Sequence, residues 1–146
     1  YLDSGSVVDD LCVRTRDKAV QVLAERAAAL QDAAGVNEIL GGVMKREIEY
    51  GTALGEGVAI PHVYIEGLKE PVLVYGRCAD GIEWNAPDGQ RVNHVFLLVS
   101  PSGTEDIHVR TLASIAKAMQ SPANRERLVR AAGASSLFGE LQILLR

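Results

Sequence analysis

Of the three histidines in this 146-residue chain, one stands where an imidazole has an obvious chemical use. His62 closes the stretch Gly51-Thr52-Ala53-Leu54-Gly55-Glu56-Gly57-Val58-Ala59-Ile60-Pro61-His62, in which three glycines precede a short apolar run and a proline. Pro61 fixes its own φ and biases Ile60 towards extended geometry, so the chain enters His62 on a stiff approach. A neutral imidazole has an unperturbed pKa of about 6.5 and is a good nucleophile near pH 7. Its second ring nitrogen must be held by an acceptor to fix the tautomer, and the sequence does not show which group does so.

Two further residues have the type and place to assist. His108, Leu112, Ile115 and Met119 recur at helical spacing, so His108 shares the inward face of a helix and sits in its first turn. A helix N-terminus favours anions through its free N–H groups and its dipole, although a hydrogen-bonded core histidine fits the same pattern. Arg46 lies in the last turns of an earlier helix, just before the glycine stretch. A surface cation is favourable there in any case. His94, at the start of a strand-like run, reads as a structural residue.

The elements that must position these groups are legible in part. Thr15 caps a helix running to about Ala34, stopped by Gly35, with Ala19, Val20, Leu23, Ala27 and Leu30 on its apolar face. Asn37 caps a second, with Ile39, Leu40, Val43, Met44 and Ile48 inward, broken at Gly51. After His62, residues 71–78 read as a strand and Ile82-Glu83-Trp84 as a short edge strand, followed by a turn at Pro87-Asp88-Gly89. Val95–Val99 has the continuous apolar character of a central strand covered on both faces. Ser102 or Thr104 caps a third helix, Ser121-Pro122 opens a fourth, and Ser135 or Ser136 begins a fifth. Residues 1–14 are weakly patterned. The expected fold class is α/β, a mixed β-sheet sandwiched between helices, in one domain over residues 1–146.

Composition narrows the function classes. With 47% hydrophobic and 23% charged residues the chain is ordinary for a soluble globular protein. A net charge of −4 lacks the basic stripe of a nucleic-acid binder. No apolar run approaches the roughly 20 residues of a membrane span, and the acidic N-terminus has no secretory pattern. The start at Tyr1 rather than Met suggests a piece of a larger protein. Cys12 and Cys78 form no C-x-x-C motif and read as plain thiols of a reducing compartment, with the cytoplasm as the expected address. A metal held by the two histidines would need further ligands at shorter spacing.

Taken together, Arg46-Glu47, the glycine stretch ending Val58-Ala59-Ile60-Pro61-His62, Ile82-Glu83-Trp84 with Asp88-Gly89-Gln90 and Val92, and Val95 to Pro101 followed by His108 and Leu112-Ala113 carry a resemblance. From about residue 15 to 142 the chain resembles the mannitol/fructose-type enzyme IIA domains of the bacterial phosphotransferase system, a family that includes nitrogen-regulatory members. The resemblance implies that His62 accepts a phosphoryl group from the phosphohistidine of the carrier protein HPr. It implies onward transfer to an enzyme IIB domain, with His108 and Arg46 as the other active-site residues and no cofactor or metal.

Phosphoryl transfer passes through a loose state with charge on three equatorial oxygens, so positioning and charge stabilisation carry the catalysis. Arg46 offers planar donors, while Thr52, Gly55 and Gly57 are candidate phosphate-binding positions that add close donors without steric clash. Leu54, Val63 and Tyr64 are candidates for a docking ring, and Val58 and Ile60 for core. Gly51, Ala53 and Glu56 depart from the family's commoner choices, and the Glu56 carboxylate would oppose a phosphoryl group unless it points away. The alternative is a regulatory module of the nitrogen-related type, or one appended to a transporter or regulator, whose phosphorylation state sets partner binding.

Overall fold

The computed structural model describes residues 2, 4–31 and 35–145. A 3-10 turn (Ser4–Ser6) and strand β1 (Val7–Val8) precede helices α1 (Arg16–Leu30) and α2 (Val36–Glu49). Three short strands follow, β2 (Ala53–Gly55), β3 (Val58–Ala59) and β4 (His62–Ile65), then two long ones, β5 (Val72–Ile82) and β6 (Val92–Pro101). Helices α3 (Glu105–Met119), α4 (Pro122–Arg130) and α5 (Ala134–Leu144) complete the order. The six strands form one mixed sheet in the order β1-β5-β6-β3-β2, with β4 also paired to β6.

β6 is the spine, and its side chains explain the layers. Val95, Leu97 and Val99 pack with α1 and α2 residues such as Leu23, Ile39 and Val43. Phe96 and Leu98 point the other way, to Ile115, Met119, Leu128, Leu137 and Leu141 of α3, α4 and α5. A strand covered on both faces has no need of polar alternation. Each such fully buried side chain contributes about 1.5–3 kcal/mol relative to exposure. The fold is therefore a mixed sheet between two helical layers, as the sequence led one to expect.

One edge of β6 is antiparallel to β5, with Leu73 opposite Leu98 and Tyr75 opposite Phe96. The other edge is shared end to end by β3, which pairs Val58 with His94, and by β4, which pairs His62 with Leu98 and runs to Ile65 opposite Pro101. Ile60 and Pro61 make the step between them. Pro61 has no N–H to give to a ladder, but its carbonyl still accepts from Leu98 N–H at 3.0 Å. The stiff approach to His62 is thus a jog between two parallel pairings.

Several boundaries move. Thr15 does cap α1, its hydroxyl accepting from Lys18 N–H at 3.3 Å, but the helix ends at Leu30; Ala34 lies outside the described residues. The N-cap of α2 is Gly35 and not Asn37. β5 and β6 are longer than their apolar runs, so Ile82 ends β5, Glu83 makes a bridge to Thr15, and His94 lies inside β6. Ser100 and Pro101 belong to β6 because the parallel pairing with β4 carries it on. Thr104 and Ser121 sit at the expected caps of α3 and α4, whereas α5 starts at Ala134 after Gly133. α2 presses closely on β4: a Cβ on Gly42 would meet Val63 Cγ2 at 2.5 Å.

Candidate active site

Successive helical residues point about 100° apart, and the end of α2 uses this to send neighbours in different directions. Glu47 follows Ile39 and Val43 onto the buried face and is 3% exposed. Arg46 stays exposed, its guanidinium 5.8 Å from the centroid of the Tyr50 ring. Its charge reaches both His62 and His108 and opposes their protonation.

His62 opens β4, half-buried, with Nδ1 2.8 Å from the carbonyl oxygen of Ile60. A carbonyl only accepts, so Nδ1 carries the proton and Nε2 keeps its lone pair. This is the acceptor the sequence left unassigned. Burial holds the imidazole below its ordinary pKa, with Arg46 acting in the same direction. His62 is therefore neutral, oriented and nucleophilic at neutral pH.

His108, in the first turn of α3, faces it with ring centroids 5.2 Å apart and planes at 60°. It is 2% exposed, and its Nδ1 lies 2.7 Å from Ser100 Oγ on β6. Burial first, then the charges of His62 and Arg46, push its pKa down to about 4. The serine hydroxyl either donates to Nδ1 or accepts from it, and in the tautomer where Nδ1 accepts, the ring proton stands on Nε2. That Nε2 is buried without a hydrogen-bond partner among the described residues. A buried polar atom left unpaired costs about 1–3 kcal/mol, and in its protonated tautomer this one is suited to an incoming anionic oxygen. Tyr64 closes the side of the pair, its ring centroid 4.2 Å from that of His108.

The glycine stretch is a β2–β3 hairpin. Gly55, Glu56 and Gly57 have φ of 89°, 56° and 77°, which only glycine adopts freely. The turn is held from below: Glu56 N–H donates to Asp88 Oδ2 at 2.9 Å, and Asn93 and His94 N–H both donate to the Gly57 carbonyl. Backbone donors keep the Asp88 carboxyl below the usual carboxylate range. The Glu56 carboxylate turns to Arg125 on α4, 3.6 Å away, so it is engaged elsewhere than at His62. Thr52 gives its N–H and its hydroxyl to the two carboxylate oxygens of Glu47. Trp84 Nε1, buried beside that carboxylate, falls short of hydrogen-bond geometry yet favours its charge.

His62, His108 and Arg46 are thus brought together, whereas Thr52, expected to offer donors to a phosphate, gives both its N–H and its hydroxyl to Glu47, and with Gly55 and Gly57 builds the hairpin that leads to His62. His94 stands apart, on the same sheet face but opposite Val58, with Nδ1 2.7 Å from the Tyr75 hydroxyl. Cys12 is exposed, Cys78 is buried, and neither is in a disulfide. Among the described residues no group of three or more His, Cys, Asp or Glu is placed to hold a metal ion. Nor is any helix among them long and apolar enough to cross a membrane. Sequence reasoning missed Ser100 beside His108 and the buried carboxylate of Glu47 on Thr52. The signal for Glu47 was present: Ile39, Val43 and Glu47 are spaced by four, which puts an acid on the apolar face of α2.

Exposed apolar side chains stand on the elements that carry the pair: Leu54 in β2, Tyr64 in β4, Ile107 in α3, and Ile48 and Tyr50 at the end of α2, 76% and 67% exposed, so Ile48 points outward rather than inward with Ile39 and Val43. Val58 and Ile60 are buried core, while Val63 packs inward rather than forming part of this ring.

Comparison with known proteins bears on the fold and the family. The chain is 32% identical over 140 residues to a nitrogen regulatory protein of Bradyrhizobium diazoefficiens, covering 94% of this chain and 90% of that protein. It is 30% identical over 115 residues to the fructose-specific EIIABC component of Bacillus subtilis, covering 79% of this chain but spanning only 18% of that protein. The fold superposes on nitrogen regulatory protein IIA-Ntr of Neisseria meningitidis with a TM-score of 0.89 at 24% identity, over 95% and 94% of the two chains. It also superposes on enzyme IIA-mannitol of Escherichia coli, in complex with phosphorylated enzyme IIB-mannitol, with a TM-score of 0.79 at 15% identity over 99% and 96%. The family model described as phosphoenolpyruvate-dependent sugar phosphotransferase system, EIIA 2, matches residues 1–142, and the chain belongs to that family of phosphoryl carriers.

Proposed function

We propose that His62 is the phosphoryl acceptor, receiving the group on Nε2 from the phosphohistidine of an HPr-type donor and passing it to a IIB-type acceptor. The observation that carries this reading is the pinned tautomer. The Ile60 carbonyl takes the Nδ1 proton, leaving the Nε2 lone pair beside the unpartnered His108 Nε2. In the transfer the bond from phosphorus to the donor nitrogen breaks as the bond to His62 Nε2 forms, and the donor leaves as neutral imidazole. Arg46 and His108 stabilise the charge on the equatorial oxygens. The hairpin through Thr52, Gly55 and Gly57 holds the approach, and Ile48, Tyr50, Leu54, Tyr64 and Ile107 are the apolar contacts around which each protein partner docks.

A second reading gives the same chemistry a regulatory use, in which phosphorylation of His62 changes affinity for a regulated protein. The match to a nitrogen regulatory protein over 90% of that protein's length favours it. Phosphoenolpyruvate, enzyme I and HPr, incubated with the protein, should leave an acid-labile, base-stable phosphoryl on His62; no label ends both readings. A chase with a IIB domain then separates them, since rapid loss of label marks a transport carrier and retained label a regulator.

A further inference from the structure

We propose that the buried carboxylate of Glu47 is a positioning residue for His62, acting through the hydrogen-bonded chain Glu47–Thr52–Ile60–His62. The proposal rests on the reading of His62 as phosphoryl acceptor and explains what holds that acceptor in place. Each link is direct. The Glu47 oxygens accept the Thr52 N–H, at 3.2 Å, and the Thr52 hydroxyl. The Thr52 carbonyl accepts the Ile60 N–H at 3.1 Å, extending the β2–β3 ladder one step beyond the Ala53–Ala59 pair. The Ile60 carbonyl accepts the His62 Nδ1–H at 2.8 Å. Every donor in the chain points towards the carboxylate.

At Thr52 and at Ile60 the incoming and outgoing bonds lie on different peptide units, either side of one Cα. What passes along the chain is position rather than charge. Pro61 makes the last step stiff, so the place of the Ile60 carbonyl fixes the direction of the imidazole. Thr52 requires two acceptors at once, and a carboxylate is the one side-chain group that supplies two oxygens with no donor. An unpaired buried charge is expensive, and burial pushes the Glu47 carboxyl above its ordinary pKa; the hydrogen bonds from Thr52 and the nearby charges of Arg16 and Arg46 offset only part of that cost. Its position on the buried face of α2, next to Arg46, ties both catalytic flanks to one helical turn. A shift of α2 would move guanidinium and imidazole together.

The test uses the intact chain with 15N-labelled histidine. In the wild type the His62 imidazole should show a protonated Nδ1 and a bare Nε2. Glu47→Ala, and the near-isosteric Thr52→Val, should give a mixed tautomer population and slow phosphoryl acceptance from phosphorylated HPr by at least about tenfold, as expected for a displaced reacting atom. The KM for the donor should stay within about twofold, because the docking side chains are untouched. Thr52→Ser should restore both readouts. The inference is overturned if folded Glu47→Ala and Thr52→Val keep the wild-type tautomer and rate; should Glu47→Ala not fold, Thr52→Val with its serine rescue decides alone. A wild type that takes no label ends the acceptor reading, while the tautomer measurement still decides whether Glu47 positions His62.

Discussion

His62 and His94 lie on the same face of one sheet, each beside β6 or in it, and each is held at Nδ1. Their partners differ. A backbone carbonyl accepts from His62, which leaves one tautomer and a free Nε2; a tyrosine hydroxyl meets His94, which either donates or accepts. His62 is half-exposed, with exposed apolar side chains on the neighbouring elements and Arg46 and His108 at hand. His94 is 3% exposed under α4, where burial and then the charges of Arg125 and Arg77 push it down to about 4. Being neutral at pH 7 is common to both and makes neither reactive. What separates them is access for a partner and a neighbouring group with an unmet hydrogen bond.

That contrast breaks most sharply on replacement. His62→Ala should abolish phosphoryl labelling, and His94→Gln should leave it intact; labelling of both variants would move the acceptor elsewhere. Next in size, Arg46→Ala or His108→Ala should each slow labelling by about 10²–10³-fold, the range for loss of one preorganised charge-stabilising donor. Stopped-flow or quenched single-turnover transfer from phosphorylated HPr measures it, and unchanged rates would reduce His108 to packing.

Acidification sharpens the comparison in a different quantity. A histidine whose folded pKa is depressed is protonated more readily in the unfolded chain, so stability rises with pH and is lost as pH falls below the unfolded value. For His94, between about pH 6.5 and 4, this amounts to about 3 kcal/mol, visible as a falling urea midpoint. His94→Gln should remove this part of the dependence and leave the part that His108, depressed to the same range, contributes. For His62 the same depression predicts that acceptor activity persists as pH drops below 6.5, with the midpoint of the pH–rate profile on the acid side of the ordinary value. The smallest effect belongs to Glu56→Gln. Its ion pair with Arg125 is largely exposed on the glutamate side, so stability should change by about 0.5 kcal/mol or less and labelling should not change.

The elements with strong periodic signals were readable from the chain: α1 with its Thr15 cap, α3, α4 after Ser121-Pro122, and β6 as a central strand. The departures share a cause. Gly35 replaced Asn37 as a cap, and β5 and β6 outgrew their apolar runs, because pairing partners and not intrinsic propensity set those limits. His94 read as a strand-end residue because nothing local shows that β3 pairs alongside it. Glu56 looked like a charge in the path of the phosphoryl group until α4 supplied Arg125.

The sequence by itself singled out the candidate reactive residue. A proline-stiffened entry to His62, a histidine on the inward face of a helix and an arginine at a helix end are local patterns, fixed by φ restriction and by the 3.6-residue period. Tertiary structure alone decided their protonation and their meeting. Residues 46, 62 and 108 converge because α2 packs on β4, β4 pairs with the end of β6, and α3 returns from that end. The Ile60 carbonyl, Ser100 and Glu47 act through hydrogen bonds whose partners lie two to eight residues apart, but their directions depend on the hairpin, the sheet register and the helix docking. Hydrogen bonds need direction as well as proximity, and no pattern of residue types along a chain contains that.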